Sequence, residues 1–264
     1  MPRQVNGWPD DVIGANSLPF DEEHTFVPKT MTLEYIETFK TAFIAAVNRA
    51  LKVGFDAIEI HAAHGYLLHS TLSPASNDLP APYSGSRENR MRLLLELAEM
   101  TRAAIPENMP LLVRLSATDW MPADSISWKG EDSVALSLEL ADRGVDFIDV
   151  SSGGLMKEQK IPAAPGFQVP FATAIKKALA EAGKKNVYVG TVGMITSGPQ
   201  AQEILQEDKA DAILVARAFQ KNPGLVWEWA GELGVEVRMA NQIGWGFGQR
   251  PGGGVKAGHA NAAR

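Results

Sequence analysis

The sequence contains no cysteine. That excludes a disulfide framework, a cysteine-ligated metal and a catalytic thiol, and it fits a reducing compartment. An excess of positive charge is also missing. The chain carries 25 Lys and Arg against 31 Asp and Glu, a formal net charge of −6. This argues against nucleic acid as a partner, because phosphate binding draws on a basic face. No apolar run approaches the roughly 20 residues of a membrane helix. The opening segment MPRQVNGWPDD lacks the apolar core of a secretory signal. The expectation is a cytoplasmic protein, with neither nucleic acid nor membrane among its partners.

What is present is an alternation. At 264 residues, 45% hydrophobic and 21% charged, the chain suits one large folded unit with a sizeable core. Residues 1–30, rich in Pro, Gly, Asn and Asp, read as an irregular loop, and the Gly- and Ala-rich stretch 248–264 reads as a disordered tail. Between them, 31–247 repeats helix and strand. Thr32 is a helix N-cap, and Leu33, Ile36, Phe39, Phe43, Ile44 and Val47 follow at helical spacing until Gly54. Further helices are predicted over 89–104, 131–143, 169–182, 199–206 and 224–232. Strands are predicted over 56–60, 111–116, 146–150, 187–191 and 212–216.

Short, apolar strands alternating with helices predict a parallel sheet in an α/β fold. A doubly wound open sheet and a (β/α)₈ barrel compete. Side-chain alternation favours the barrel. Ala57, Glu59 and His61 share one strand face, as do Leu112, Arg114 and Ser116, and Phe147, Asp149 and Ser151. Polar groups at the carboxyl ends of several strands are where barrel sites are built. Closure needs eight strands, and residues 1–30 cannot supply three more. The expected architecture is an incomplete barrel of about five βα units.

The densest chemistry lies in Ile60-His-Ala-Ala-His-Gly-Tyr66, which follows a strand and holds two of the five histidines. Imidazole can hydrogen-bond a carbonyl or nitro oxygen, or ligate a metal. Two histidines satisfied within a loop is the plainer reading. Glu59, Asp119 and Asp149 could join a zinc site, yet no metalloprotease spacing is present, and no metal is expected. Tyr66 can donate a proton or simply pack. Arg114 interrupts an apolar strand; it either pairs with Glu59 or Asp149, or faces a ligand. Gly190-Thr-Val-Gly193 and Ala216-Arg217 end consecutive strands, where barrel loops hold phosphate through backbone N–H groups and a guanidinium. Ser151-Ser-Gly-Gly154 reads as tight loop geometry first and ligand contact second.

Together these residues resemble the old yellow enzyme family, specifically its thermophilic-like bacterial branch. The resemblance rests on GFDAIEIHAAHGYLLHSTLSPASN (54–77), YSGSRENR (83–90), LLVRLSATDW (111–120), GVDFIDVSSGG (144–154), PGFQVPFA (165–172), VGTVGMIT (189–196) and ADAILVARAFQKNP (210–223), and spans about residues 8–247. It implies an FMN-containing barrel that moves hydride from NADPH or NADH to an activated alkene, an α,β-unsaturated carbonyl or nitro compound. By resemblance His61 and His64 hold the substrate oxygen and Tyr66 donates the proton. Arg114 lies near the flavin's pyrimidine edge, and Gly193, Ala216 and Arg217 hold its phosphate. A homo-oligomer is left open.

The sequence departs from the family in places. The first three barrel strands, with a loop near flavin N5 and a glutamine beside the pyrimidine, have no counterpart here. The charges that the family places before its conserved tyrosine are absent from Asp78-Leu-Pro-Ala-Pro82. Ala216-Arg217 replaces the frequent Gly-Arg. The branch's inserted arginine has no clear equivalent near Gln242, with Arg250 as a candidate. The isolated five-strand chain is therefore expected to be poorly stable or to need a partner that completes the barrel. The alternative function is a truncated or decayed non-catalytic fragment, or one piece of a split enzyme.

Overall fold

Capping sets where the helices start and stop. In the computed structural model, the Thr32 hydroxyl accepts the Tyr35 N–H, and Gly54 closes the helix at φ 86°, so α1 is Leu33–Val53. Ser86 and Ser197 do the same for α3 (Arg87–Ala104) and α6 (Gly198–Gln206), accepting the Asn89 and Gln200 N–H groups. The Ser86 cap explains why α3 begins ahead of its apolar periodicity. The structure describes residue 7, residues 11–19 and residues 26–247. The segment 248–264, including Arg250, lies outside the described residues. Within the expected amino-terminal loop, β1 (Ile13–Gly14) pairs in parallel with β2 (Lys29–Thr30).

Five strands form the main sheet: β3 (Ile58–Ala62), β4 (Leu111–Ser116), β5 (Phe147–Ser151), β6 (Tyr188–Thr191) and β7 (Ala212–Ile213). They are all parallel and lie in strict sequence order. A doubly wound sheet would reverse its order at a switch point; an unreversed order is how a barrel winds. The crossovers are carried by α2 (Leu67–Leu72) with α3, by α4 (Gly130–Asp142), by α5 (Val169–Glu181) and by α6. After β7 come α7 (Arg217–Lys221), α8 (Leu225–Glu232) and α9 (Asn241–Gly244). α2 and α7 escape the sequence reading because each is too short to show a helical period.

Two aspartates align the amino-terminal ends. Asp146 and Asp211 each stand just before a strand, and their carboxylates accept the Leu111 and Val189 N–H groups of the neighbouring strand at 2.8 Å. Arg102 braces Asp146 from α3 at 3.2 Å.

α1, α3, α4 and α5 pack successively against one another over one face of the sheet. Under them Ile60, Leu111, Val113, Leu115, Ile148, Val150 and Val189 have no exposed surface. They meet Leu94, Leu97, Leu136, Leu140, Ile175 and Leu179 in one apolar core. The opposite face carries the polar set. Glu59 and His61 are exposed, and Leu112, Arg114 and Phe147 are half-buried. The alternation read from sequence is therefore the division between a core face and an inner face.

That division predicts unequal costs for equal deletions on one strand. Leu115→Ala should cost about 2–5 kcal/mol. Leu112→Ala, one face over, should cost less than half as much. Urea unfolding of the two variants measures the difference.

Candidate active site

Parallel register lays the inner-face residues side by side. His61 is the Cα partner of Arg114, Arg114 of Asp149, and Asp149 of Gly190. A Cβ on Gly190 would sit 2.5 Å from Leu214 Cδ1 and 2.6 Å from Phe147 Cζ, so only glycine fits there. Arg114 Nε lies 3.0 Å from Asp149 Oδ2, and the Asp149 side chain has no exposed surface. The ion-pair reading of Arg114 thus holds, with Asp149 rather than Glu59 as partner. The pair is close but misaligned: neither Nε nor either carboxylate oxygen makes a hydrogen bond. Buried polar atoms are rarely left so; the ligand-facing part of the pair is the guanidinium, 26% exposed.

The turn after β3 is held from three sides. His64 and Gly65 adopt left-handed conformations at φ 60° and 76°. The His64 N–H donates to Ser116 Oγ at 2.9 Å, and that hydroxyl donates to Gly153 O at 2.9 Å. The Gly65 N–H donates to His69 Nδ1 at 2.9 Å. A Cβ on Gly65 would stand 2.1 Å from Gly154 O, and one on Gly154 would stand 2.6 Å from His64 Cα. The tight geometry expected of Ser151–Gly154 is what lets the two loops touch. Held this way, the His61 ring lies 5.3 Å from that of His64 and 5.4 Å from that of Tyr66. Tyr66 is 64% exposed.

His64 Nε2 lies 2.6 Å from Ser151 Oγ. Ser151 Oγ is also 3.4 Å from Gln168 Oε1, which accepts the Ser152 hydroxyl as well. A Ser151 hydroxyl donating along its shorter contact leaves His64 Nδ1–H as a donor. Burial, reinforced by the Arg114 charge, holds His61 below its ordinary range and lowers His64 to about 4. Both are neutral at pH 7. Burial raises Glu59 against the pull of Arg114. Burial also raises Asp149, to about 6, with Arg114 opposing and Glu59 reinforcing.

The second set of predicted residues follows β6 and β7, which pair directly and are extended by the Leu214 N–H to Thr191 O bond at 2.9 Å. Gly193 has φ 115°, and a Cβ there would sit 2.6 Å from Gln168 Nε2. Ala216 stands at the start of α7 without a side-chain cap, and Arg217 is exposed, making no side-chain hydrogen bond or ion pair among the described residues. β7 is shorter than predicted, its pairing with β6 covering only Ala212 and Ile213. The structure thus brings His64 and Tyr66, on the turn after β3, beside His61, the register neighbour of Arg114 on the inner face, and sets Gly193 on the loop after β6 and Ala216 and Arg217 at the start of α7, after β7. Among the described residues no group of three or more His, Asp or Glu side chains is placed to hold a metal, and no helix is long and apolar enough to cross a membrane.

Sequence reading missed Ser116 and His69 as supports of the His64 turn, and Gln168 as the hub of the Ser152 and Val192 contacts. Ser116 had a signal, its place on the inner face. Gln168 had none, because its partners lie far away in sequence; His69 stands four residues from Gly65, but nothing local marked that spacing as a contact.

The profile of the NADH:flavin oxidoreductase / NADH oxidase family matches residues 3–233. The chain is 46% identical over 254 residues to an NADH:flavin oxidoreductase of Gibberella zeae, covering 93% of this chain and 60% of that protein. It is 42% identical over 241 residues to an NADPH dehydrogenase of Geobacillus thermodenitrificans, covering 90% of this chain and 67% of the relative. It therefore spans about six tenths to two thirds of these relatives' length. Among solved structures, morphinone reductase in complex with tetrahydroNAD superimposes with a TM-score of 0.67 at 21% identity, over 87% of this chain and 61% of that one. A 2-naphthoyl-CoA reductase complex gives 0.70 at 23%, over 81% and 32%. At such identities these two structures speak for the fold, a (β/α) barrel of which five units are seen here.

Two groups should oppose each other in acid. His64 is lowered from 6.5 to about 4, so the unfolded chain binds its proton more readily, and stability is lost as pH falls from about 6.5 to about 4. Asp149 is raised from 3.8 to about 6, so the folded chain binds its proton more readily, and stability is lost as pH rises across that window. Asp149→Asn removes the second slope alone. Its urea midpoint should therefore fall more steeply than the parent's between pH 6 and 4.5.

Proposed function

This chain belongs to the NADH:flavin oxidoreductase / NADH oxidase family, that of the old yellow enzymes, and we propose that it forms the substrate- and FMN-binding part of an NAD(P)H-dependent ene-reductase. The observation that carries this reading is the inner-face row. Two neutral histidines, a tyrosine and a guanidinium converge at the carboxyl ends of consecutive parallel strands. The residues also fit the cofactor. Arg114 presents a quarter-exposed guanidinium on the inner face, and Arg217, unpaired among the described residues, offers a cation beside the loops after β6 and β7.

Bound FMN would relay hydride from NAD(P)H to the β-carbon of an activated alkene, an α,β-unsaturated carbonyl or nitro compound. His61 and His64 donate hydrogen bonds to the substrate's carbonyl or nitro oxygen and stabilise the negative charge that gathers there, as an oxyanion hole does. Neutrality suits them to this: each keeps one N–H to donate and loses no proton at working pH. Tyr66, exposed beside His61, supplies the proton to the α-carbon. Arg114, paired with Asp149, would supply a positive charge to the flavin ring. Arg217, with the backbone at Gly193 and Ala216, would hold the phosphate.

Purified chain reconstituted with FMN should turn yellow and consume NAD(P)H when an enone is added. A chain that takes up no flavin overturns the reading. The variants should separate. His64→Ala should lower turnover on the order of 10²-fold with flavin content retained, whereas Arg217→Ala should chiefly lower FMN retention, read as the flavin-to-protein absorbance ratio.

A further inference from the structure

We propose that His69 and Asp119 form a buried positioning pair that fixes the His64–Gly65–Tyr66 turn through the tautomer of His69; its bearing on catalysis rests on the function proposed above. Both side chains have no exposed surface, so neither reaches a ligand. Their hydrogen bonds leave one protonation pattern. His69 Nδ1 faces the Gly65 N–H, which can only donate, so Nδ1 carries no proton. The imidazole proton is then on Nε2 and donates to Asp119 Oδ1 at 3.0 Å. Asp119 is fixed in turn: Oδ2 accepts the Ser73 hydroxyl at 2.6 Å and the Trp128 N–H at 2.7 Å. The chain of bonds runs from the loop after β4, through the imidazole, to one backbone amide.

That amide lies in the turn whose shape is least favourable by itself. His64 is a non-glycine residue at φ 60°, a conformation that persists only where its surroundings impose it. Ser116 holds the N–H of His64, Gly154 bounds Gly65 from the side, and His69 holds the N–H of Gly65. A histidine whose only role is to satisfy the core could spend its acceptor anywhere. Here the acceptor is spent on the residue between His64 and Tyr66, the two groups whose rings flank His61. Asp119 thus acts on the site at one remove, by keeping the proton off the nitrogen that must accept.

Side-chain nitrogen NMR on the histidine-labelled full chain, without flavin, tests the first link. His69 should show a bare Nδ1 and a protonated Nε2. A proton on Nδ1 overturns the proposal, whether or not any variant folds. Asp119→Asn keeps an oxygen for Ser73 and Trp128 but turns an N–H toward Nε2. The proton must then move to Nδ1, where it opposes the Gly65 N–H. Hydrogen exchange at the Gly65 amide should speed up at least about tenfold in Asp119→Asn and in His69→Ala, relative to the Leu94 amide of the core. His69→Asn places an oxygen near the Nδ1 position and should restore protection. Equal acceleration at Gly65 and Leu94, or none at Gly65, means a purely structural role and overturns the proposal.

In flavin-loaded enzyme, Asp119→Asn should lower kcat by about 10- to 100-fold with FMN content unchanged. Absence of flavin binding in the parent chain would count against the ene-reductase reading, while the NMR and exchange results would still decide the pair.

Discussion

A strand can hide only every second side chain behind the helices that cross over it, and that constraint organises this molecule. The helix-covered residues Ile60, Val113, Ile148 and Val189 form one row without exposed surface. The residues one step along, His61, Arg114, Asp149 and Gly190, form the neighbouring row on the other side. Because the strands are parallel and in sequence order, this second row is a line across the sheet and not a scatter. His61 and Arg114 inherit their positions from that register.

The row holds an electrostatic tension. Asp149 is buried beside Arg114 at 3.0 Å, yet its oxygens accept no hydrogen bond. Burial favours its neutral form and the guanidinium favours its charged form. Burial, reinforced by the same guanidinium, keeps His61 and His64 neutral, so each retains one N–H donor. The turn that carries His64 is built by a separate device. Backbone approach at Gly65 and Gly154 leaves no room for a Cβ, and hydrogen bonds from the His64 and Gly65 N–H groups to Ser116 and His69 lock what remains.

Much of the fold was legible in the chain. Thr32 and Gly54 mark the ends of α1 because capping chemistry is local. The strand at Leu111–Ser116 matched its apolar run residue for residue. Helices of less than two turns, such as α2 and α7, were not legible, because they are too short for a period to repeat. Nor was the shortness of β7, because where a ladder ends is set by its partner strand.

The sequence by itself determined the alternation of helix and strand, the face on which Glu59, His61, Arg114 and Asp149 would lie, and the family to which its motifs belong. These follow from periods of two and 3.6 residues and from contiguous motifs, which are properties of neighbours in the chain. Only the tertiary structure decided that Arg114 takes Asp149 as its partner, that His64 rests on Ser151, and that His69 hands its one acceptor to Gly65. The first two are meetings of residues on different strands and loops, and the third, though only four residues apart, depends on the turn that Ser116 and Gly154 hold in shape. Register and backbone contact create them, and no spacing along a single chain encodes which of several eligible partners will be within 3 Å.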